Sequence, residues 1–462
     1  MTPELEKAKA LAETEPDESL RICNDILNRE FDTEQAEIAL FMSGYLMMQA
    51  ERYGMAYHIF KRCAQMKPNQ SEIYSNMGMC LEEERPEEAI NLFRKALKLK
   101  HDNQSALANL ALMMLQTGKP QECINICNQV LKKDPTSRAA THNKGLAKLM
   151  LRDFSGWNEY FDTLGVKHRE KKNYGFPDWN GEPGTVLVYG EQGVGDEIMF
   201  ASCLEDLAKT NKIIFDCDRR LESIFKRNFD FEIHGERFSN KPLELSETPD
   251  YQCAIGQLPY FYRQKESDFP GRPYLKACPE RQQQWEVILS SKPRIGIAWS
   301  GGTKNTREQF RSFGLETLSP LFDLDAEFVN LQYKPVDQVE MDRYGITNWP
   351  RAVLKGCDLE DTLAVISRLD CVVTCCTTVV YLAGALGIPC YVMVPDYCGY
   401  RYHNKGDSFP WYKSVKLFRG KFNKSIREIK RHVENLHRVR SKGGGGLSRF
   451  VSLDPEAIKE AG

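Results

Sequence analysis

A glycine-rich stretch, YGEQGVGDEIMF at residues 189–200, is where residue types and spacing first point to chemistry. Three glycines precede an acid and an apolar helical segment, as they do in many phosphate-binding loops. The stretch fits neither common phosphate-binding motif, because no lysine follows the glycines and their spacing is not G-x-G-x-x-G. An acid at the start of the helix would also repel a triphosphate. The glycines therefore predict a tight turn from a strand into a helix, with close approach of the backbone.

The elements around this turn alternate between strands and helices. Short apolar runs bounded by turn residues predict buried strands at 185–190, 211–218, 293–298, 327–332, 370–375 and 389–395. Helical spacing predicts helices between them, including 314–322, 359–369 and 377–387. This order predicts parallel sheets with right-handed crossovers, in two doubly wound halves with a cleft between them. Ligands of such sheets bind outside the carboxyl ends of the strands.

The first third of the chain repeats itself. Small residues recur at Gly44, Gly78, Ala111 and Gly145, spaced by 34, 33 and 34 residues. This period predicts helix–turn–helix units of the tetratricopeptide type. We expect about four repeats over residues 36–165, with a further degenerate helical pair before them. Such repeats stack into a concave groove, which either holds a partner or acceptor or only supports and dimerises the rest.

Composition excludes several classes of protein. The 462 residues carry a formal net charge of −2, so no global field attracts nucleic acid. No apolar run approaches the roughly 18 residues of a membrane span, and the charged N-terminus lacks the apolar segment of a secretory signal. The fifteen cysteines form no CxxC pair, which predicts free thiols in a reducing cytoplasm and no metal site. The basic segment at 412–442 is either a solvated helix face or a surface for an anionic partner.

Five stretches after the repeats resemble a known family. They are GEQGVGDEIMFA, GIAWSGG, FVNLQYKP, LEDTLAVISRLDCVV and YLAGALGIPCYVMVP, in that order. Together they resemble the repeat-bearing glycosyltransferases of the GT-B fold, over roughly residues 36–420. The catalytic half is similar to the ADP-heptose glycosyltransferase family and, more distantly, to the O-linked N-acetylglucosaminyltransferases. This resemblance implies an inverting, metal-independent transfer of a sugar from a nucleotide-sugar donor to an acceptor hydroxyl.

The resulting fold prediction is an all-α tetratricopeptide solenoid followed by an α/β GT-B architecture of two Rossmann-like lobes. The predicted boundaries are 1–168 for the repeats, 169–184 for a linker, 185–285 for the N-terminal lobe on the acceptor side, 286–440 for the C-terminal lobe on the nucleotide-sugar side, and 441–462 for a flexible tail. Proline, glycine and aromatic residues mark the linker, and SKGGGGLS begins the tail.

On the acceptor side, the resemblance implies that Asp196 is the base that deprotonates the acceptor hydroxyl. The residues alone allow a second interpretation, in which Asp196 only caps its helix. Glu191 and Gln192, with Gly193 and Gly195, are expected to orient the acceptor or the loop. Glu197 fits a solvated helix position equally well.

On the donor side, the leaving diphosphate must be met by cations and amide dipoles, because no DxD-type metal motif stands in a suitable loop. The candidates follow predicted strands or begin a helix: Ser300, Gly301, Gly302, Lys304, Gln332, Lys334, Thr377, Thr378 and Asp396. For Lys304 and Arg307 the alternative is a solvated loop, and for Thr377 and Thr378 it is ordinary helix capping. We expect His403 to be an exposed loop histidine rather than a ligand contact.

Two positions depart from the family pattern. Cys376 stands where the family has an aspartate, and Tyr381 stands where it has a histidine. The change means either a different donor or a loss of activity. The leading prediction is therefore a glycosyltransferase with no bound cofactor beyond its nucleotide-sugar co-substrate. The alternative is a non-catalytic repeat scaffold with a degenerate transferase lobe. The expected partners are an acceptor protein or peptide in the repeat groove and a second copy of the chain, without nucleic acid.

Overall fold

The structure is a computed structural model that describes residues 2–29, 34–166, 169–239, 242–302, 308–353, 359–396 and 399–442. The chain divides into two compact units, Met1–Ala147 and Lys148–Gly462. Lys304 and Arg307 lie outside the described residues, and so does the predicted tail from residue 443 onward. Within the described part, no helix combines the length and the apolar character needed to cross a membrane.

Paired helices confirm the predicted helical repeats and the degenerate pair that precedes them. The helices are α1 Pro3–Leu11, α2 Pro16–Arg29, α3 Glu34–Gln49, α4 Tyr53–Met66, α5 Ser71–Leu81, α6 Pro86–Leu99, α7 Gln104–Gln116, α8 Pro120–Lys133, α9 Arg138–Met150 and α10 Gly156–Asp162. Proline begins α6 and α8, where its fixed φ suits the first helical position and its missing N–H costs nothing. Asn103 caps α7, since its side chain accepts the amide N–H of Ala106 at 3.0 Å.

Small residues in the first helix of each pair allow the second helix to pack closely. A Cβ atom added at Gly78 on α5 would stand 2.7 Å from the ring of Phe93 on α6. Gly44 on α3 meets Phe60 on α4 in the same way, at 2.8 Å. Both phenylalanines are fully buried, so neither ring can move into solvent without opening the core. The recurrent small residues in the sequence thus mark helix-to-helix contacts.

Replacing Gly78 by alanine is therefore expected to lower the free energy of unfolding by about 1–3 kcal/mol, because the new methyl group overpacks the Phe93 ring. Urea denaturation measures the change. Gly54→Ala on α4 is the matched control, since a Cβ there meets nothing within 4 Å and alanine favours helix. Equal stability changes in the two variants would contradict the packing argument.

The second unit contains a four-stranded parallel sheet with the order β3-β2-β1-β4. Its strands are β1 Thr185–Tyr189, β2 Lys212–Asp216, β3 Glu232–His234 and β4 Tyr251–Ala254. Its helices are α11 Val194–Ala201, α12 Leu204–Leu207, α13 Glu222–Asn228 and α14 Leu258–Tyr262. β1 is central and buried at every position, as its apolar run predicts. The sequence analysis missed β3 and β4, which are short and follow irregular polar segments.

A second parallel sheet has six strands in the order β10-β9-β8-β5-β6-β7. Its strands are β5 Arg294–Ala298, β6 Glu327–Asn330, β7 Ile346–Thr347, β8 Cys371–Thr374, β9 Cys390–Val394 and β10 Val415–Arg419. Its helices are α15 Pro279–Ile288, α16 Glu308–Arg311, α17 Gln338–Arg343, α18 Pro350–Val353, α19 Glu360–Ile366, α20 Thr378–Leu386 and α21 Phe422–Lys442. The chain reverses its direction across the sheet between β5 and β8, and such a switch point opens a crevice at the strand ends.

Two local features of the second sheet have clear physical causes. The helix predicted at 314–322 forms as the 3-10 helix Leu315–Leu321, which contains Pro320. α20 ends at Gly387, whose φ of 76° closes the helix in the left-handed conformation that glycine adopts without strain. α20 therefore has a defined start and end, and it is one of the two helices that form the candidate site.

Candidate active site

The turn after β1 positions Asp196. α11 begins at Val194 with Gly193 as its N-cap, so Asp196 lies in the first turn of the helix. A Cβ atom at Gly195 would stand 2.8 Å from the ring of Tyr381 on α20. Glycine therefore permits α11 to approach α20 closely, and this contact joins the region of the first sheet to that of the second. The N-cap carries no side-chain cap hydrogen bond, so the structure gives Asp196 a different role from capping at this residue.

Arg401 holds the Asp196 carboxylate. Its Nε donates a hydrogen bond to Asp196 Oδ1, and its Nη2 donates to Gln192 Oε1 at 3.3 Å. Arg401 lies in the 3-10 helix Tyr400–Tyr402 after β9, and its guanidinium stacks over the ring of Tyr400 at 4.5 Å. The Asp196 side chain is 16% exposed and that of Arg401 is 24% exposed, so the pair remains reachable by a ligand. The sequence analysis placed Arg401 after the last core strand but did not pair it with Asp196.

Glu191 and Gln192 bind other parts of the protein. Gln192 Nε2 donates to the Tyr160 hydroxyl at 2.7 Å and to Glu191 Oε1 at 3.0 Å. Glu191 is buried, accepts the amide N–H of Gly256 at 3.3 Å and lies 3.7 Å from Arg169. Burial raises the pKa of the Glu191 carboxyl, and the Arg169 guanidinium opposes that effect. Both side chains therefore fix the loop that precedes Asp196.

Glu197 is a buried structural residue, which corrects the expectation that it could be solvated. Its carboxylate is fully buried, pairs with Arg237 and accepts the amide N–H of Asp218 at 2.8 Å. Arg237 also donates to the main-chain oxygen of Gln192. This ion pair ties α11 and its preceding loop to the end of β2. The flanking apolar residues of α11 were a signal of this burial, but nothing in the sequence identified Arg237 as the partner.

The loop after β5 is held by side chains. Gln332 is 2% exposed, and its Oε1 accepts the amide N–H groups of Trp299 at 3.2 Å and Ser300 at 3.1 Å. Its Nε2 donates to Ser300 Oγ at 2.8 Å. Gln332 was predicted to contact the nucleotide, whereas here all of these bonds go to the protein. Its role in this structure is to shape the loop.

The next two amides of that loop have side-chain partners as well. Gly301 N–H donates to Ser312 Oγ at 3.2 Å, and Gly302 N–H donates to the Tyr333 hydroxyl at 2.9 Å. A phosphate on these amides would have to replace those hydroxyl groups. A Cβ atom at Gly301 would collide with the Thr377 side chain, so the loop lies directly against the start of α20.

The remaining donor-side candidates are divided between structural and exposed positions. Thr377 caps α20, because its Oγ1 accepts the amide N–H of Val379 at 3.3 Å, and Thr378 is the first helical residue. Lys334 pairs with Glu308. Asp396 is exposed at a bend two residues after β9. The candidates therefore form two groups, one around Asp196 and one around the loop after β5.

The two residues that depart from the family pattern are both buried beside these groups. Tyr381 packs against Gly195, and burial raises the pKa of its phenol, which keeps it protonated at neutral pH. Arg311 Nη1 donates to the main-chain oxygen of Cys376 at 3.4 Å. A neutral tyrosine in this position can donate a hydrogen bond but cannot supply the charge of an imidazolium.

His403 is buried, which corrects the expectation of an exposed loop histidine. It is 4% exposed, and its Nδ1 lies 2.7 Å from the main-chain oxygen of Leu149. Its φ of 55° is unusual for a residue with a side chain. Burial lowers the pKa of His403 from 6.5 to about 4, so it is neutral at physiological pH.

This shift predicts a pH-dependent stability. Between pH 6.5 and about 4 the unfolded chain takes up a proton that the folded histidine rejects, so the free energy of unfolding falls as the pH falls. The loss from this residue reaches about 3 kcal/mol at pH 4. We expect urea unfolding of His403→Gln to lack this part of the pH dependence. His58→Gln, which removes an exposed histidine of α4, is the matched control. A slope unchanged in His403→Gln would contradict the assignment.

Comparison with known proteins gives a match to the repeats first. The family model described as the tetratricopeptide repeat protein 21 C-terminal ARM domain matches residues 12–141. Two solved structures illustrate the further likenesses. The tetratricopeptide protein YrrB, described as having an unusual peptide-binding site, is 17% identical with a TM-score of 0.31, over 36% of this chain and 86% of that chain. MamA of Desulfovibrio magneticus RS-1 is 13% identical with a TM-score of 0.32, over 37% of this chain and 99% of that chain.

One curated relative extends further along the chain. Protein FlbA of Caulobacter vibrioides is 27% identical over 292 residues, which cover 57% of this chain and 48% of FlbA. This chain therefore spans about half the length of the curated relative that it matches. The name of that relative states no activity.

Proposed function

We propose that the second unit is an inverting, metal-independent glycosyltransferase of the GT-B type. The observation that carries the proposal is the carboxylate of Asp196, which lies in the first turn of α11, is partly exposed and lies beside α20 of the second sheet. The two parallel sheets would be its two Rossmann-like lobes, and the switch point between β5 and β8 would mark the donor side.

The proposed reaction is a single displacement. Asp196 accepts the proton of the acceptor hydroxyl, the hydroxyl oxygen forms a bond to the anomeric carbon, and the bond from that carbon to the diphosphate breaks. The nucleoside diphosphate leaves with the bonding electron pair, and cations meet its charge. Arg311 and Lys334 lie near the loop after β5 and are the described cations closest in sequence to the proposed donor side.

The repeat region is a scaffold for binding, and we propose that it holds an acceptor or partner protein. A cavity of about 120 Å³ supports this proposal. Its lining combines apolar side chains with the Glu37–Lys67 ion pair, whose atoms lie 2.5 Å apart. Such a cavity suits one apolar anchor residue of a peptide that carries a charged neighbour. This binding role is also the second candidate function, in which Cys376 and Tyr381 reflect a lobe that no longer turns over.

A thermal-shift panel of nucleoside diphosphates and nucleotide sugars tests the enzyme proposal. A ligand present at about 100 times its dissociation constant should raise the free energy of unfolding by about 2.7 kcal/mol. We expect one base type to stabilise the protein both as the diphosphate and as the sugar conjugate. A panel without any stabilising member would contradict the transferase and favour the scaffold. For the repeats, Phe41→Ala at the cavity should weaken capture of a partner without changing the nucleotide response.

A further inference from the structure

The Asp196–Arg401 contact brings a proposed base and a cation of the second sheet together. Arg401 bonds Asp196 through Nε and Gln192 through Nη2, and all three side chains belong to the loops around the junction of α11 and α20. The two partners are 205 residues apart in sequence, and they lie on segments that follow different sheets. The contact therefore depends on how these two segments meet.

The chemistry of the contact is unfavourable for a base. An arginine that donates to a carboxylate stabilises the charged form, and a carboxylate stabilised in this way accepts a proton less readily. A guanidinium also binds phosphate oxygens through two parallel hydrogen bonds, which a single Nε contact to Asp196 does not use. One arginine cannot make both sets of bonds through the same Nε at once. Asp196 and a diphosphate are therefore competitors for Arg401.

We propose that the Asp196–Arg401 ion pair is an autoinhibitory contact, which the donor diphosphate opens when it captures the Arg401 guanidinium and so releases Asp196 to act as the base. This inference rests on the proposed glycosyltransferase function. It assigns an order to the reaction, since the base becomes competent only after the donor has bound. It also makes Arg401 a positioning residue that acts on the reaction through Asp196.

Competition of this kind has a measurable consequence for binding. If Asp196 occupies Arg401 in the unliganded protein, removing the negative charge must raise the affinity for the diphosphate. Opening a partly exposed ion pair of this type corresponds to about 5–10-fold in affinity. Loss of the guanidinium must lower the affinity by a comparable or larger factor.

The test measures the dissociation constant of the best-binding nucleoside diphosphate by isothermal titration calorimetry. We expect Asp196→Asn to bind it about 5–10-fold more tightly than wild type, and Arg401→Met to bind it at least about tenfold more weakly. In the Arg401→Met background, Asp196→Asn should change the affinity by less than about twofold, because the competitor for Arg401 is already absent. Arg401→Lys keeps the charge without the planar fork and should fall between wild type and Arg401→Met.

A matched control separates competition from general repulsion. Glu205→Gln removes one carboxylate from the exposed pair with Arg272, whose atoms lie 2.7 Å apart, and should leave the affinity unchanged. An equal gain from Asp196→Asn in both backgrounds would overturn the inference, because it would indicate repulsion that does not pass through Arg401. An unchanged affinity in Asp196→Asn would overturn it as well. If wild type and all variants fail to bind any nucleoside diphosphate, the proposed function itself is overturned.

Discussion

The Asp196→Asn variant is expected to lose at least about 100-fold in the rate of donor cleavage, because a general base contributes typically 10²–10⁴-fold. Asparagine keeps the size of the side chain and its place in the first turn of α11, but it cannot accept the hydroxyl proton. The measurement is release of nucleoside diphosphate at saturating donor. Under the proposed competition for Arg401, the same variant binds the diphosphate more tightly, so slower cleavage would not reflect weaker binding.

Glu205→Gln is the control for this variant, since it removes a carboxylate that is paired on the surface of α12. It should cleave the donor at the wild-type rate. Full cleavage by Asp196→Asn would contradict the assignment of Asp196, and the base would have to be sought elsewhere.

The second large effect is expected at the buried Glu197–Arg237 pair. Glu197→Ala should lower the free energy of unfolding by about 3–5 kcal/mol, because it leaves the Arg237 guanidinium buried without its counter-charge. The side chains are 0% and 6% exposed, so solvent cannot compensate for the loss. Urea denaturation followed by circular dichroism measures the change.

The double variant Glu197→Leu, Arg237→Met gives the matched comparison. Replacing both partners by apolar residues removes the unpaired charge, so its loss of stability should be smaller than that of Glu197→Ala. If Glu197→Ala costs less than about 1 kcal/mol, the pair does not stabilise the loop in the way that its burial implies.

Local sequence pattern predicted most of the framework of this fold. The period of small residues identified the helical pairs, because Gly44 and Gly78 are needed for close packing against Phe60 and Phe93. Apolar runs identified the central strands β1 and β5, since both are buried at every position. The edge strands β7 and β10 were missed, because two residues of pattern are too few at β7 and because β10 alternates with lysine and arginine.

The candidate site depends on contacts that no local pattern contains. Asp196 was identified from its turn, but its partner Arg401 lies 205 residues later. Gln332 was taken as a nucleotide contact, although its amide holds the backbone of residues 299 and 300. In both cases the missing information is which strand ends lie side by side. That arrangement follows from the order of strands in the sheets, which the sequence analysis did not give.

The central claim is that this chain transfers a sugar by a single displacement at the anomeric carbon. Proton NMR of a nucleotide sugar chosen by the thermal-shift panel tests it most directly, with water as the acceptor and spectra recorded before the free sugar equilibrates. We predict that wild type first releases the sugar with the anomeric configuration opposite to that of the donor, and that Asp196→Asn releases none above background. Release with the donor's own configuration, or intact donor with wild type, would contradict the account.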